Sequence, residues 1–323
     1  MDPCDVFFFE TFSEEEPSLR RHLPPHIRAV FTPSTVQGSG LAQPPSRLVS
    51  IRTQSRLPTA WLDSLDAVLT RSTGFDHLLP MRRAGSDRPL LGALPEYCSS
   101  SVAEHAMLLW TALLHRLPRQ QRQFTSFLRD GITGREVRGR TVAIFGVGRI
   151  GHDIARLASA LGMRVLGVDI VKRHPDVYYA SREEALAEAD IIACAMNLTP
   201  ENAGYFDMAT LALAKPGCVF INVSRGELSP TAPLLAMLEA GHLGGVALDV
   251  FDHESQVAAE LQGGIKPSPG SESDLLLRLA ARDDVLLTPH NAFNTLDAVE
   301  RKSEFTALQV VTFLDTGTFR WPL

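Results

Sequence analysis

Three stretches of the chain end in side chains able to do chemistry. Arg225 follows the run I-N-V-S and is followed by Gly226 and Glu227. Asp249 closes V-A-L-D, and Glu254 stands five residues further on. His290 follows V-L-L-T-P. An imidazole titrates near neutral pH and can give or take a proton. A carboxylate such as Glu254 beside it favours the imidazolium and fixes the ring. A guanidinium offers a planar fork to a carboxylate and can polarise a carbonyl. Brought together, these groups suit reduction of a 2-oxo acid: hydride transfer leaves an alkoxide that needs a proton, a cofactor carries the hydride, and the protein supplies position and charge. Taken singly, each has a plainer reading. Arg225 can pair with Glu227 or Glu254 on the surface, Asp249 can cap a turn, Glu254 can be a solvated loop carboxylate, and a lone histidine after a strand is often structural. His22, His26, His115, His174 and His242 have no comparable setting and read as surface or packing residues.

For the reactive groups to meet, their strands must be parallel neighbours, because open α/β sheets bind ligands beyond the carboxyl ends of their strands. Residues 140–169 say what such a sheet would hold. A short apolar run at 142–145 leads into Gly146, Gly148 and Gly151. A helical pattern follows through Ile150, Ile154, Leu157 and Leu161. A second apolar run at 165–168 stops at Asp169, 18 residues after Gly151. Gly146 suits the tight turn, Gly148 lets a pyrophosphate approach the backbone, and Gly151 allows close helix–strand packing. The helix N-terminus turns free N–H groups and a positive dipole toward the phosphates. Asp169 can accept bonds from a ribose and would repel a 2′-phosphate, so NAD(H) is the expected cofactor. Lys172 and Arg173, just behind it, leave some room for a phosphate.

Further strands are expected at 6–9, 48–51 and 67–70 in a small first α/β unit. Six more, at 142–145, 165–168, 191–196, 218–223, 246–250 and 285–288, alternate with helices such as 230–240, which implies a parallel doubly wound sheet. A long apolar helix is expected over 101–117, capped by Ser99, Ser100 or Ser101, then a polar crossover from Pro118 to Gly134. Residues 254–284 are expected to form a long loop, either a lid or a disordered insertion. An amphipathic helix over 296–314 is expected to return to the first unit. That gives two linked domains with a cleft between them: residues 1–98 with 293–323, and residues 99–292.

The totals agree with this plan. A chain of 323 residues, 45% hydrophobic and 21% charged, is long enough for two cores. A net charge of −6 without a long basic run argues against a nucleic-acid surface. Cys4, Cys98, Cys194 and Cys218 are dispersed, which fits a reduced cytoplasmic interior, and no metal site is expected. The acidic start does not read as a secretory leader, and no apolar run approaches the roughly 20 residues of a membrane span.

The blocks G-V-G-R-I-G with Asp169, I-N-V-S-R-G-E, A-L-D-V-F-D-H-E and L-L-T-P-H-N-A-F resemble, in type and order, those of the D-isomer-specific 2-hydroxyacid dehydrogenase family, over nearly the whole chain. The resemblance implies a Rossmann-type doubly wound cofactor domain inserted into a smaller flavodoxin-like α/β catalytic domain. It implies NAD(H)-dependent reduction of a 2-oxo acid to the (R)-2-hydroxy acid, with the proton from His290, Glu254 as its partner and Arg225 binding substrate. Gly146, Gly148, Arg149, Ile150, Gly151, Asp169 and Thr199 would hold the cofactor, with Asp249 near the nicotinamide carboxamide. Backbone N–H groups around Thr73 and Gly74, in T-R-S-T-G-F-D-H, would bind the substrate carboxylate. Tyr97 and Phe293 match positions near the substrate in the D-lactate dehydrogenase branch, toward which H-N-A-F-N-T and the long segment after Glu254 also lean; either aromatic can instead only pack the core. Arg52, in S-I-R-T-Q-S, is either a second cation for a larger or doubly acidic substrate or a surface arginine. P-E-Y-C-S-S-S-V-A-E-H-A resembles the family's hinge and the start of its dimer-forming helix, so a homodimer is expected. Two departures stand out: Glu254-Ser255 replaces the usual E-P, and Met196-Asn197 stands where an apolar-Pro pair is common. A formate dehydrogenase is disfavoured, because those relatives carry Gln at the place of Glu254. The alternative is an NADH-sensing regulator or corepressor-like scaffold, against which the intact Arg225, Glu254 and His290 argue.

Overall fold

The computed structural model describes residues 4–81, 88–95 and 97–323. The chain divides into two compact units, one of Met1–Cys98 with Asn294–Leu323 and one of Ser99–Phe293.

The first unit is built on a five-stranded parallel sheet of β1 (Val6–Phe8), β2 (Ala29–Phe31), β3 (Leu48–Ile51), β4 (Ala67–Thr70) and β5 (Leu90–Gly92), in the spatial order β2-β1-β3-β4-β5. This is the flavodoxin-like order. Strands β1, β3 and β4 are buried at every position. A parallel sheet covered on both faces has no wet side, so its inner strands read as unbroken apolar runs. Phe7, Phe9, Ile51, Trp61 and Leu78 form the core of one face. Helix α1 (Glu15–His22) carries acids in its first turn and bases in its last, as the helix dipole favours. It buries Glu15, Ser18 and a single apolar side chain, Leu19, so no apolar stripe marks it in the sequence.

The second unit opens with α2 (Ser99–Leu114), and α3 (Leu117–Gln123) occupies part of the expected crossover. There follow β6 (Thr141–Phe145), α4 (Arg149–Ala160), β7 (Arg164–Val168), α5 (Arg182–Glu188), β8 (Ile191–Cys194), α6 (Met208–Ala212), β9 (Cys218–Asn222), α7 (Thr231–Glu239) and β10 (Leu243–Leu248). The expected long loop over 254–284 is instead mostly helical, with α8 (Glu254–Gln262) and α9 (Glu272–Ala280) leading to β11 (Val285–Leu287). The six strands are parallel in the order β11-β10-β9-β8-β6-β7, and a bridge between Gly167 and Tyr179 extends the pairing beyond β7. The order therefore reverses between β6 and β8, the switch point where doubly wound sheets bind dinucleotides. Returning to the first unit, α10 (Leu296–Thr316) packs against α1. Among the described residues, no helix is long and apolar enough to cross a membrane.

Candidate active site

The glycine turn beyond β6 meets the backbone demands its residue types imply. Gly146 has φ +88°, and a Cβ there would lie 2.6 Å from the Met196 backbone. A Cβ on Gly151, in the first turn of α4, would sit 2.0 Å from the Gly146 carbonyl oxygen. Gly148 caps α4, and no atom lies within 4 Å of where its Cβ would be. Two glycines thus let the backbone close up, and the third leaves it bare in front of a helix N-terminus, which fits a pyrophosphate. Asp169 sits at the end of β7. Its Oδ2 accepts from the Val147 N–H at 2.6 Å and its Oδ1 from the Val171 N–H at 2.9 Å. A carboxylate has about four acceptor positions, so Asp169 pins the glycine turn and keeps capacity for ribose hydroxyls. Arg149 is exposed and Ile150 half-buried at the start of α4. Thr199 is exposed in the turn beyond β8, its N–H bonded to Asn202 Oδ1 at 2.7 Å.

Strands β9, β10 and β11 are neighbours, and their exits carry Arg225, Glu254 and His290. His290 stands in the left-handed region, φ 51°. The loop that forces this conformation is held by Asp249, which is 1% exposed. Asp249 Oδ1 accepts from Thr288 Oγ1 (2.5 Å) and the Asn291 N–H (2.8 Å), and Oδ2 accepts from the Ala292 N–H (2.9 Å). The resemblance implies that Asp249 lies near the nicotinamide carboxamide; here its carboxylate is bonded to the Thr288 hydroxyl and the main chain around His290, as a buried acid requires. His105, on α2, completes the set: its Nε2 lies 3.1 Å from Thr288 Oγ1 and 3.7 Å from Asp249 Oδ1. The Thr288 hydroxyl donates to Asp249 and so accepts from His105, which places a proton on Nε2.

His290 Nδ1 lies 2.8 and 2.9 Å from the two Glu254 oxygens, and Nε2 has no hydrogen-bond partner among the described residues. Glu254 is the first residue of α8, behind His253 at φ 50°. The Phe293 ring meets the imidazole edge-on, with centroids 6.3 Å apart. Arg225 follows β9 in a loop organised by the buried Asn222. Asn222 Nδ2 donates to the Arg225 carbonyl (2.8 Å) and to Ser229 Oγ (2.7 Å), while its Oδ1 accepts from the Ser224 N–H and Oγ at 3.0 Å. Gly226 presses this loop onto the next one: a Cβ there would lie 1.9 Å from the Phe251 carbonyl carbon. The arginine loop and the segment leading to Glu254 therefore share one backbone contact. His105, Thr288, Asn222 and Gly226 are positioning groups that the sequence does not single out. Only Gly226, a glycine just past a strand, carried a usable signal.

In the first unit, β4 runs into a compact turn. Ser72 Oγ donates to the Gly74 carbonyl (2.7 Å) and Thr73 Oγ1 to the Pro95 carbonyl (3.2 Å). The N–H groups of Thr73 and Gly74 donate to no protein acceptor among the described residues. Arg71, wholly buried, bonds Glu15 (2.9 Å) and the Phe9 carbonyl (2.6 Å) beneath the turn. The Arg52 guanidinium lies 4.1 Å above the Phe12 ring. Burial pulls it below its ordinary value, against the opposing field of Glu15. Tyr97 is 6% exposed, and burial raises its phenol above the ordinary range.

Comparison with known proteins agrees with this geometry. Residues 105–292 match the family model for the NAD-binding domain of D-isomer-specific 2-hydroxyacid dehydrogenases. A 2-hydroxyacid dehydrogenase homolog of Zymomonas mobilis is 34% identical over 235 residues, 69% of each chain. An aromatic 2-oxoacid reductase of Clostridium sporogenes is 31% identical over 231 residues, covering 70% of this chain and 69% of the relative. The crystal structure of D-lactate dehydrogenase from Aquifex aeolicus, complexed with NAD and lactic acid, superposes with a TM-score of 0.83 at 29% identity, over 98% of this chain and 99% of that one. The glycine turn, the strand-end acid and base, and these relationships converge: the chain belongs to the NAD-dependent D-isomer-specific 2-hydroxyacid dehydrogenases.

Proposed function

We propose that the chain reduces a 2-oxo monocarboxylic acid to the (R)-2-hydroxy acid in the manner of D-lactate dehydrogenase, with His290 delivering the proton from Nε2. The observation that carries this is the His290–Glu254 pair: Nδ1 is held by a carboxylate at 2.8 Å, and Nε2 is left to the reacting oxygen. Bound NADH supplies the hydride. Glu254 fixes the ring orientation and sets a negative charge beside the imidazolium. Arg225 offers its fork to the substrate and polarises the carbonyl. In the first unit, the Thr73 and Gly74 N–H groups receive the substrate carboxylate. Arg52 already has Phe12 beneath it and Glu15 near it, which favours a substrate with one carboxylate over a doubly acidic one. Similarity to the D-lactate dehydrogenase of Aquifex and the aromatic 2-oxoacid reductase of Clostridium supports a lactate-like or an aromatic side chain.

A homodimer fits the surface of the second unit, where Leu108, Phe124, Phe127 and Leu128 are 56%, 71%, 75% and 56% exposed. Four free cysteines fit a reducing cytoplasm. The test is NADH oxidation against a panel of 2-oxo acids, for the native chain and for His290→Gln. The expected result is turnover of at least one acid. The variant should bind NADH normally and lose about 10²- to 10⁴-fold in kcat, the usual share of positioned acid catalysis. Comparable turnover by the variant removes His290 from the role. No turnover of any acid, with NADH still tightly bound, returns the sensing-scaffold reading.

A further inference from the structure

His152, His174 and Asp176 form a cluster in the second unit that the reaction leaves unused. One ligand atom of each lies within 4.8 Å of the others. His152 belongs to the first turn of α4, its N–H bonded to the Gly148 carbonyl at 2.9 Å. His174 and Asp176 belong to the turn beyond β7. There the His174 N–H donates to Tyr179 Oη (3.2 Å) and the Val177 N–H to the His174 carbonyl (3.2 Å). Pro175, between the two ligands, fixes its own φ and disfavours a helical conformation at His174. His152 Nε2 is already 2.9 Å from Asp176 Oδ2. The two imidazoles stack with centroids 3.8 Å apart and planes 9° from parallel. The spacing of the donors is thus built into a helix and a closed turn rather than left to mobile chain.

We propose that His152, His174 and Asp176 bind a divalent transition-metal cation of the Zn²⁺ class. Two imidazole nitrogens and one carboxylate oxygen are donors that Zn²⁺, Co²⁺ and Ni²⁺ accept, with a further position open to water. Mg²⁺ and Ca²⁺ call for all-oxygen ligand sets and fit poorly. With bonds of about 2.0–2.1 Å, tetrahedral donors stand roughly 3.3 Å apart. The His152 and Asp176 donors, 2.9 Å apart, have to open by about 0.4 Å to match it, and His174, whose donor lies within 4.8 Å of theirs, has to turn its ring out of the stack. A bound cation would tie the turn that follows Asp169 to the first turn of α4.

The experiment uses the full chain stripped with a chelator and dialysed. Co²⁺ is titrated in while its visible d–d absorption is followed, and Zn²⁺ affinity is measured by competition with a chromophoric chelator. The expected result is one saturating equivalent per chain, with His174→Ala and Asp176→Asn each weakened roughly tenfold or more, since losing a ligand costs at least what losing an outer-shell partner does. Circular dichroism and NADH fluorescence titration check that the variants stay folded. Two results overturn the proposal. One is no saturable Co²⁺ band, which leaves only a surface His152–Asp176 pair. The other is undiminished binding in the His152→Ala, His174→Ala double variant, which places the metal on other side chains.

Discussion

Replacing Gly226 by alanine tests whether the contact between the arginine loop and the glutamate segment sets the geometry of reaction. The added Cβ would lie 1.9 Å from the Phe251 carbonyl carbon, 2.2 Å from its oxygen and 2.3 Å from the Asp252 nitrogen. Ordinary contact begins near 3.4 Å, so about 1.5 Å of separation must be found. All three obstructing atoms are backbone, so no rotamer change relieves them and one of the two loops must move. One carries Arg225; the other reaches Glu254 two residues after Asp252. A misplacement of about 1 Å can cost about 10²-fold in rate. The expected result is therefore a fall of about 10²-fold in kcat/KM for the preferred 2-oxo acid, about 2.7 kcal/mol of transition-state stabilisation. Overpacking also costs about 1–3 kcal/mol of fold stability, so the assay needs three readings. Steady-state NADH oxidation gives kcat/KM, fluorescence titration gives NADH affinity, and thermal melting shows whether the variant is folded at the assay temperature. NADH affinity should hold, because the glycine turn lies beyond β6, while Gly226 lies beyond β9. A folded Gly226→Ala variant with native kcat/KM would mean that this contact does not set the positions of Arg225 and Glu254.

Asp249→Asn should lower both stability and turnover, since it turns an NH₂ toward buried donors that now share a carboxylate. A loss of about 1–3 kcal/mol in a denaturant titration is expected, and an unchanged midpoint would mean the loop is held otherwise. Asp169→Ala should narrow the preference for NADH over NADPH, and an unchanged ratio of kcat/KM values would place ribose recognition elsewhere. Acid should unfold the first unit through Glu15. Burial raises that carboxyl, but Arg71, then Lys302 and Arg52, outweigh it and bring it from 4.5 to about 2. A folded value below the unfolded one means the contribution is present above about pH 4.5 and is lost as pH falls toward 2. Melting temperatures of the native chain should drop across that window and those of Glu15→Gln much less; parallel curves would assign the acid sensitivity to other groups.

Much of the fold is readable because burial leaves a plain mark. Strands β3, β4 and β6 are buried throughout and stand out as apolar runs between polar turns. The glycine turn is readable because each glycine answers a different backbone demand. Helix α1 escapes because what it buries is largely polar, with Glu15 serving Arg71 and Lys302. Helix α3 escapes because Pro118 reads as a break, although proline at the start of a helix costs nothing. The helices in 254–284 are hidden by the glycines and prolines between them, from Gly263 and Gly264 to Pro267, Pro269 and Gly270. Yet α9 has a start signal: Ser271 Oγ accepts from the Asp274 N–H at 3.3 Å, ahead of a leucine-rich run. Among the site residues, a strand-end acid does not say which main-chain groups it will bind, and Asp249 binds the N–H groups of Asn291 and Ala292. His105 leaves no trace in the sequence, since its partner Thr288 lies 183 residues away.

The groups proposed to react come from three consecutive positions in the sheet, β9, β10 and β11, so topology alone brings their loops side by side. Bringing loops together does not fix side chains to the tolerance that proton transfer needs. Two residues in left-handed conformation, His290 and His253, flank or form the proposed acid–base pair. Such a conformation costs about 1–2 kcal/mol in a residue with a Cβ and persists only where its surroundings over-determine it. For His290, three hydrogen bonds to Asp249 supply that constraint, from residues on either side of it. The backbone of His290 is therefore set by Asp249 and not by Glu254. What remains for Glu254 is the ring: by accepting at Nδ1 it fixes the tautomer and turns Nε2 outward. Orientation of the chain and orientation of the proton are thus assigned to different carboxylates, and substitutions at the two should separate, Asp249 acting on stability and turnover together and Glu254 on turnover alone.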